Sequence, residues 1–252
     1  MVVWVGARWV GPGFSVVVRA GRCPGYARPV RRILTLVAVA LVASATFGAP
    51  ARATTPRPTA AAERSQPRAL FFGDSYFVGG GCSPDARQDM AYLAGTELGY
   101  RTVVRGAGGT GFVAANPEYD LPPYLGQIRD GALDVRGPDL VVIAGGSNDV
   151  GLPVAEVQKN ARKILRIARH KYPRALLVLI GPLDPYGGYA DSIPIRDALH
   201  AVAKQLDVPF IDDMTWLAGH PEWLCDDYVH PTYAAQGPLG DRLAKALGKR
   251  GA

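Results

Sequence analysis

Leu140-Val141-Val142-Ile143-Ala144, a glycine-rich link from Gly145 to Gly151, a helical pattern at Val154, Val157, Ala161, Ile164 and Ala168, then Leu176-Leu177-Val178-Leu179-Ile180: this stretch decides the fold. Both five-residue runs are apolar at every position, so neither has a solvent face. Two such strands joined by an amphipathic helix make a parallel β-α-β unit, covered on both sides. The pattern extends outward. Ala69–Phe72 and Thr102–Val104 read as earlier strands, with a helix near Gln88–Leu98. Leu199, Val202, Ala203 and Leu206 mark a further helix, Val208–Ile211 a last strand, and a helix from about Pro238 to Leu247 closes the chain. A long connection between Gly111 and Pro138, carrying Pro117, Pro122, Pro123 and Tyr124, is expected to border a cleft.

The chain has 252 residues, 48% apolar and 20% charged, which suits one domain with additions. Its formal charge of +6 is unevenly spread. Residues 1–53 hold seven arginines and no Lys, Asp or Glu, whereas the remainder carries 21 basic against 22 acidic residues. Basicity is therefore local, and no nucleic-acid partner is expected. Arg28, Arg31 and Arg32 precede the uncharged run Ile33–Phe47, and Ala51-Arg52-Ala53 offers a small-x-small cleavage site. These features read as an export signal over residues 1–53, with Arg31-Arg32 also compatible with a twin-arginine signal. The apolar run is short for a bilayer, so no stable span is expected after cleavage. Residues 54–67, with three prolines, read as a disordered lead-in. A single domain over 68–252 follows, expected to be monomeric and secreted or associated with the cell envelope.

Cleavage would remove Cys23 and leave Cys82 and Cys225. Cys82 follows Ser75 by seven residues, and Cys225 precedes Asp227 by two. If Ser75 meets His230, the two cysteines come together, and an oxidising compartment favours a disulfide; the alternative is two unrelated thiols.

In an open parallel sheet, ligands bind beyond the carboxyl ends of the strands. Four polar or glycine-rich clusters fall at those points: Gly73-Asp74-Ser75, Gly106–Gly111, Gly146-Ser147-Asn148-Asp149 and Asp227…His230. A hydroxyl is a weak nucleophile until an imidazole takes its proton, and the imidazole needs an anion to fix its tautomer. Ser75, His230 and Asp227 supply those three groups. The simpler readings are a helix N-cap for Asp74-Ser75, a turn for Asn148-Asp149 and a loop histidine at 230. Ser147 is a rival nucleophile; His170 and His200 sit in helical patterns, and His220 reads as a loop residue with no acid at useful spacing. Gly106-x-Gly108-x-x-Gly111 matches a dinucleotide fingerprint in form, but Phe112–Pro117 does not open a helix. No Gly-x-Ser-x-Gly, His-Glu-x-x-His or paired Cys-x-x-Cys occurs, which leaves other hydrolase folds and a metal centre unsupported.

Together the four blocks, in this order and spanning the whole domain, resemble those of the SGNH (GDSL-type) esterase and lipase superfamily. The resemblance implies a flavodoxin-like three-layer α/β/α sandwich, with a five-stranded parallel sheet in the order 2-1-3-4-5 and no cofactor. By position it makes Ser75 the nucleophile, His230 the general base and Asp227 its orienting partner. The oxyanion hole it implies comprises the backbone N–H of Ser75, the N–H of Gly109 and the side-chain amide of Asn148, with Gly106 or Gly108 as alternatives to Gly109. Tyr186 and Tyr189, on the link after the fourth strand, are expected on the same rim, as a substrate pocket or as a mere turn. The expected substrate is a small-molecule or lipid ester. The alternatives are an acyltransferase or carbohydrate deacetylase acting on envelope material, or a silent envelope-binding module. N-terminal sequencing of the exported protein is expected to begin at Thr54, and an intact Arg31-Arg32 segment on the mature protein would refute cleavage.

Overall fold

The computed structural model describes residues 66–83 and 85–252; the expected export signal (1–53) and most of the expected lead-in (54–67) lie outside them. Five parallel strands, β1 (Arg68–Gly73), β2 (Arg101–Gly106), β3 (Leu140–Ala144), β4 (Leu176–Ile180) and β5 (Phe210–Ile211), form one sheet in the order β2-β1-β3-β4-β5. Helices α1 (Ser75–Val78), α2 (Met90–Glu97) and α6 (Tyr233–Gly248) contribute to the core on one face. On the other lie α4 (Val154–Lys171), α5 (Ile193–Gln205) and the short α3 (Tyr124–Arg129). The alternating residues of each strand feed the two cores: Phe71, Val142 and Val178 on the α6 side, Phe72, Val141 and Leu179 on the α4 side. This is the three-layer α/β/α arrangement, and the order change at β1 opens a crevice at its carboxyl end.

Three elements depart from the sequence reading, each for a local reason. The last strand starts at Phe210 rather than Val208, because the Val208 N–H donates back to Ala203 O (2.9 Å) and Pro209 has no N–H to give. The closing helix starts five residues before Pro238. The proline is exposed, so the carbonyl it cannot serve lies on the solvent side. The connection after β2 contains α3, and Tyr124 is not a cleft residue. Its side chain is fully buried against Phe72 and Phe112, and its hydroxyl donates to Ala144 O at 2.9 Å.

At the crevice the backbones of β1 and β2 close tightly. Gly73 and Gly106 are register partners, and Gly106 adopts φ +133°. A Cβ at 106 would lie 1.7 Å from the Gly73 carbonyl oxygen, a clash that no side-chain movement relieves. Gly106→Ala is expected to cost about 3 kcal/mol or more in urea unfolding. Gly99→Ala, where φ is also positive but the space is open, should cost about 1 kcal/mol and separates strain from clash.

Candidate active site

Ser75 is the first residue of α1, directly beyond β1. Asp74 caps that helix: its Oδ1 accepts the Tyr76 N–H at 3.1 Å. The strand end and cap fix the Ser75 backbone, while its side chain stays half-buried. Its Oγ lies 2.9 Å from His230 Nε2, and His230 Nδ1 lies 2.7 Å from Asp227 Oδ2. Residues 155 positions apart thus share one hydrogen-bonded chain. In the tautomer that carries its proton on Nδ1, facing Asp227, Nε2 faces the serine hydroxyl as an acceptor.

The turn that carries Asp227 and His230 is closed on itself. Asp227 Oδ1 accepts the N–H groups of Val229 and His230, both at 2.9 Å, leaving Oδ2 for the ring. Partial burial pushes the Asp227 carboxyl up, but the donors on His230 and Val229 outweigh it and hold its pKa below the usual carboxylate value. Tyr228 takes a left-handed φ of +56° to make the turn. Cys225 N–H donates to His230 O at 2.8 Å, and Tyr76 Oη donates to Val229 O at 3.2 Å. Cys82 and Cys225 form a disulfide, with Cα atoms 6.0 Å apart. It draws the Gly79-Gly80-Gly81 run against the histidine. A Cβ at Gly80 would sit 2.4 Å from His230 Cδ2, and one at Gly81 2.5 Å from His230 Cβ. Those two glycines escaped the sequence reading, although three consecutive glycines before a cysteine were a usable signal.

The remaining blocks converge on the same rim. Asn148 Nδ2 donates to Thr110 O at 3.0 Å and lies 3.4 Å from Asp74 Oδ2. Asp149 is fully buried and accepts three backbone N–H groups, Phe112 at Oδ2 and Val113 and Ala114 at Oδ1, all within 2.9 Å. It therefore braces the glycine segment after β2. Within that segment Gly108 faces Ser75, where a Cβ would stand 3.4 Å from Ser75 Cβ. Gly109 has φ +71° and packs against Asn116, whose amide donates to Gly108 O at 3.1 Å. Asn116 is a supporting residue that no motif announced. Ser147 Oγ donates to Leu183 O at 2.7 Å and is thereby engaged elsewhere. Tyr186 and Tyr189 are exposed, with ring centroids 6.0 Å apart; their backbone N–H groups both donate to the buried Asp184. A cavity of about 390 Å³ opens beside Asp227, lined by Gly81, Cys82, Leu224, Cys225 and Thr232. Among the described residues no helix is long and apolar enough to cross a membrane.

The profile of the GDSL-like Lipase/Acylhydrolase family matches residues 71–237. An arylesterase from Vibrio mimicus is 29% identical over 123 residues, covering 46% of this chain and 60% of that protein. A carbohydrate esterase family 2 enzyme with a carbohydrate-binding domain, from Myceliophthora fergusii, superposes with a TM-score of 0.59 at 24% identity, covering 78% of this chain and 69% of that one. A carbohydrate acetylesterase from Sinorhizobium meliloti gives 0.57 at 18% identity, covering 73% and 99%. At these identities the structural matches show the fold.

Burial pushes the Asp74 carboxyl up to about 7; the Tyr76 N–H opposes the shift and the Asp149 charge adds to it. The folded state therefore holds a proton that the unfolded chain releases near 3.8. Stability from this group is full at low pH and is lost as pH rises through that window. Relative to Asp74→Asn, the wild type should lose on the order of 1 kcal/mol per pH unit between about 4 and 7 in urea unfolding. Parallel stability curves for the two proteins would refute this.

Proposed function

Because the chain belongs to the GDSL-like lipase/acylhydrolase family, we propose that it is an exported serine hydrolase that cleaves carboxylic esters through an acyl-enzyme. The observation that carries this reading is the unbroken chain Ser75 Oγ, His230 Nε2, His230 Nδ1 and Asp227 Oδ2, with contacts of 2.9 and 2.7 Å. Ser75 Oγ attacks the ester carbonyl as its proton passes to Nε2. The tetrahedral oxyanion then collapses, the carbon–oxygen bond to the alcohol breaks, and the alcohol leaves with the proton from Nε2. Water attacks the acyl-enzyme with the same base. The carboxylic acid departs, and Oγ recovers its proton.

The oxyanion is assigned to the N–H groups of Ser75 and Gly109 and to the Asn148 amide. One amide hydrogen of Asn148 is engaged by Thr110 O, while the contact to Asp74 is long at 3.4 Å, which leaves a donor available to developing charge. Gly108 is the alternative backbone donor, supported by its approach to Ser75. Tyr186 and Tyr189 are assigned to the substrate rim on their exposure and on their link after β4. Export is supported by the Arg-rich, apolar start of the chain and by the Cys82–Cys225 bond.

The test is a panel of nitrophenyl esters from acetate to palmitate, run on the mature protein and on Ser75→Ala. The serine variant should keep its unfolding midpoint and lose about ten-thousand-fold in kcat. A folded wild type that turns over no member would instead favour a binding module. Release of ester product in place of acid, on adding sugar or alcohol acceptors, would favour a transferase.

A further inference from the structure

The exposed large apolar side chains gather at one end of the sheet, and most of the acidic residues are concentrated there. Every large apolar residue exposed among the described residues lies in a connection at the carboxyl end of the strands or on the first residue of the helix that follows it. Five of them are tyrosines: Tyr119, Tyr186, Tyr189, Tyr228 and Tyr233. The five connections at that end span residues 74–89, 107–123, 145–153, 181–192 and 212–232. They contain thirteen Asp and Glu residues against one basic residue, Arg87, which is itself paired with Asp85 at 3.3 Å. Three arginines flank these connections: Arg105, exposed near the end of β2, Arg196, paired with Asp212 at 2.8 Å, and Arg242, over the Trp223 ring. Other cations stand away from them, for instance along the outer face of α4 at Lys159, Lys163, Arg166, Arg169 and Lys171.

Four of the rim carboxylates, Glu118, Asp120, Asp191 and Asp226, are exposed and pair with no Lys, Arg or His among the described residues, while the exposed Glu222 lies 3.1 Å from His220 Nδ1. They add to Asp227, the only one of the exposed acids that the proposed chemistry uses. A cleft edged by one sign of charge raises the local concentration of opposite charges and repels like ones, by roughly 10- to 1,000-fold in rate. Aromatic faces act in the same sense, because their π-electrons attract ammonium groups and offer nothing to a carboxylate.

We propose that the serine centre is charge-selective: it favours esters carrying an ammonium group, accepts neutral ones and rejects esters bearing a carboxylate or phosphate. The selection assigns a property to the proposed ester site rather than a new site, and so rests on that reading. It also acts on the product. Hydrolysis converts a neutral acyl group into a carboxylate, which the same field drives out of the cleft.

Three nitrophenyl esters of similar size test it: pentanoate, the half-ester of glutaric acid with a free carboxylate, and a trimethylammonio-butanoate. At low salt kcat/KM should fall in the order cationic, neutral, anionic, with about tenfold or more between the extremes. The ratio should shrink at high salt, where screening shortens to a few ångströms. It should also shrink in the combined variant Glu118→Gln, Asp120→Asn, Asp191→Asn, Asp226→Asn, while that variant's kcat/KM for pentanoate is retained. Equal or inverted rates at low salt, or a ratio that the variant leaves unchanged, would overturn the proposal. Failure to hydrolyse even pentanoate would sink the esterase reading and the selectivity with it, a result distinct from turnover without preference.

Discussion

One carboxylate organises the rim. Asp227 accepts two backbone N–H groups from its own turn through one oxygen and the imidazole of His230 through the other, so the ring's orientation and the turn's shape are set by the same group. Asp and His three positions apart can do this locally, with no ordering of distant chain needed for their mutual geometry. What must be ordered from a distance is the meeting with Ser75. That task falls to β1, to the cap at Asp74 and to the disulfide that pulls Cys82 against Cys225.

Around this centre, buried carboxylates hold the loops in place. Asp149 holds three consecutive N–H groups of the segment after β2, and Asp184 holds two of the link after β4. Such groups are costly to bury, and several backbone donors apiece offset the cost. Loops fixed in this way keep the residues at the strand ends close to one geometry. The sheet beneath them is ordinary apolar packing, and Phe71, Phe72 and Tyr124 illustrate how completely it fills both faces.

The fold was legible because its central strands are apolar at every position, a pattern that only a sheet covered on both sides tolerates. Strand order came from the resemblance of four blocks and not from periodicity. Short elements were not legible. α1 and α3 are four and six residues long, too short to show a helical repeat, and α3 follows two prolines that read as a loop. Tyr124 was read with the long, proline-bearing connection expected to border a cleft; its burial is decided by Phe72 and Phe112, which lie in other segments of the chain. For the same reason Ser75, Asp227 and His230 could be named from their motifs, while Asn116 could not, because its role consists only of proximity to another segment. Gly80 and Gly81 were marked by no more than the glycine run before Cys82.

The bond between Cys82 and Cys225 bridges a separation of 143 residues, and the loop it closes contains β2, β3, β4 and β5, leaving β1 and α6 outside. A protease that nicks any exposed connection inside that loop therefore releases nothing. The two pieces stay one covalent molecule, held by sulfur as well as by the shared sheet. Damage of this kind would be invisible by mass on an unreduced gel and would appear only when a thiol is added.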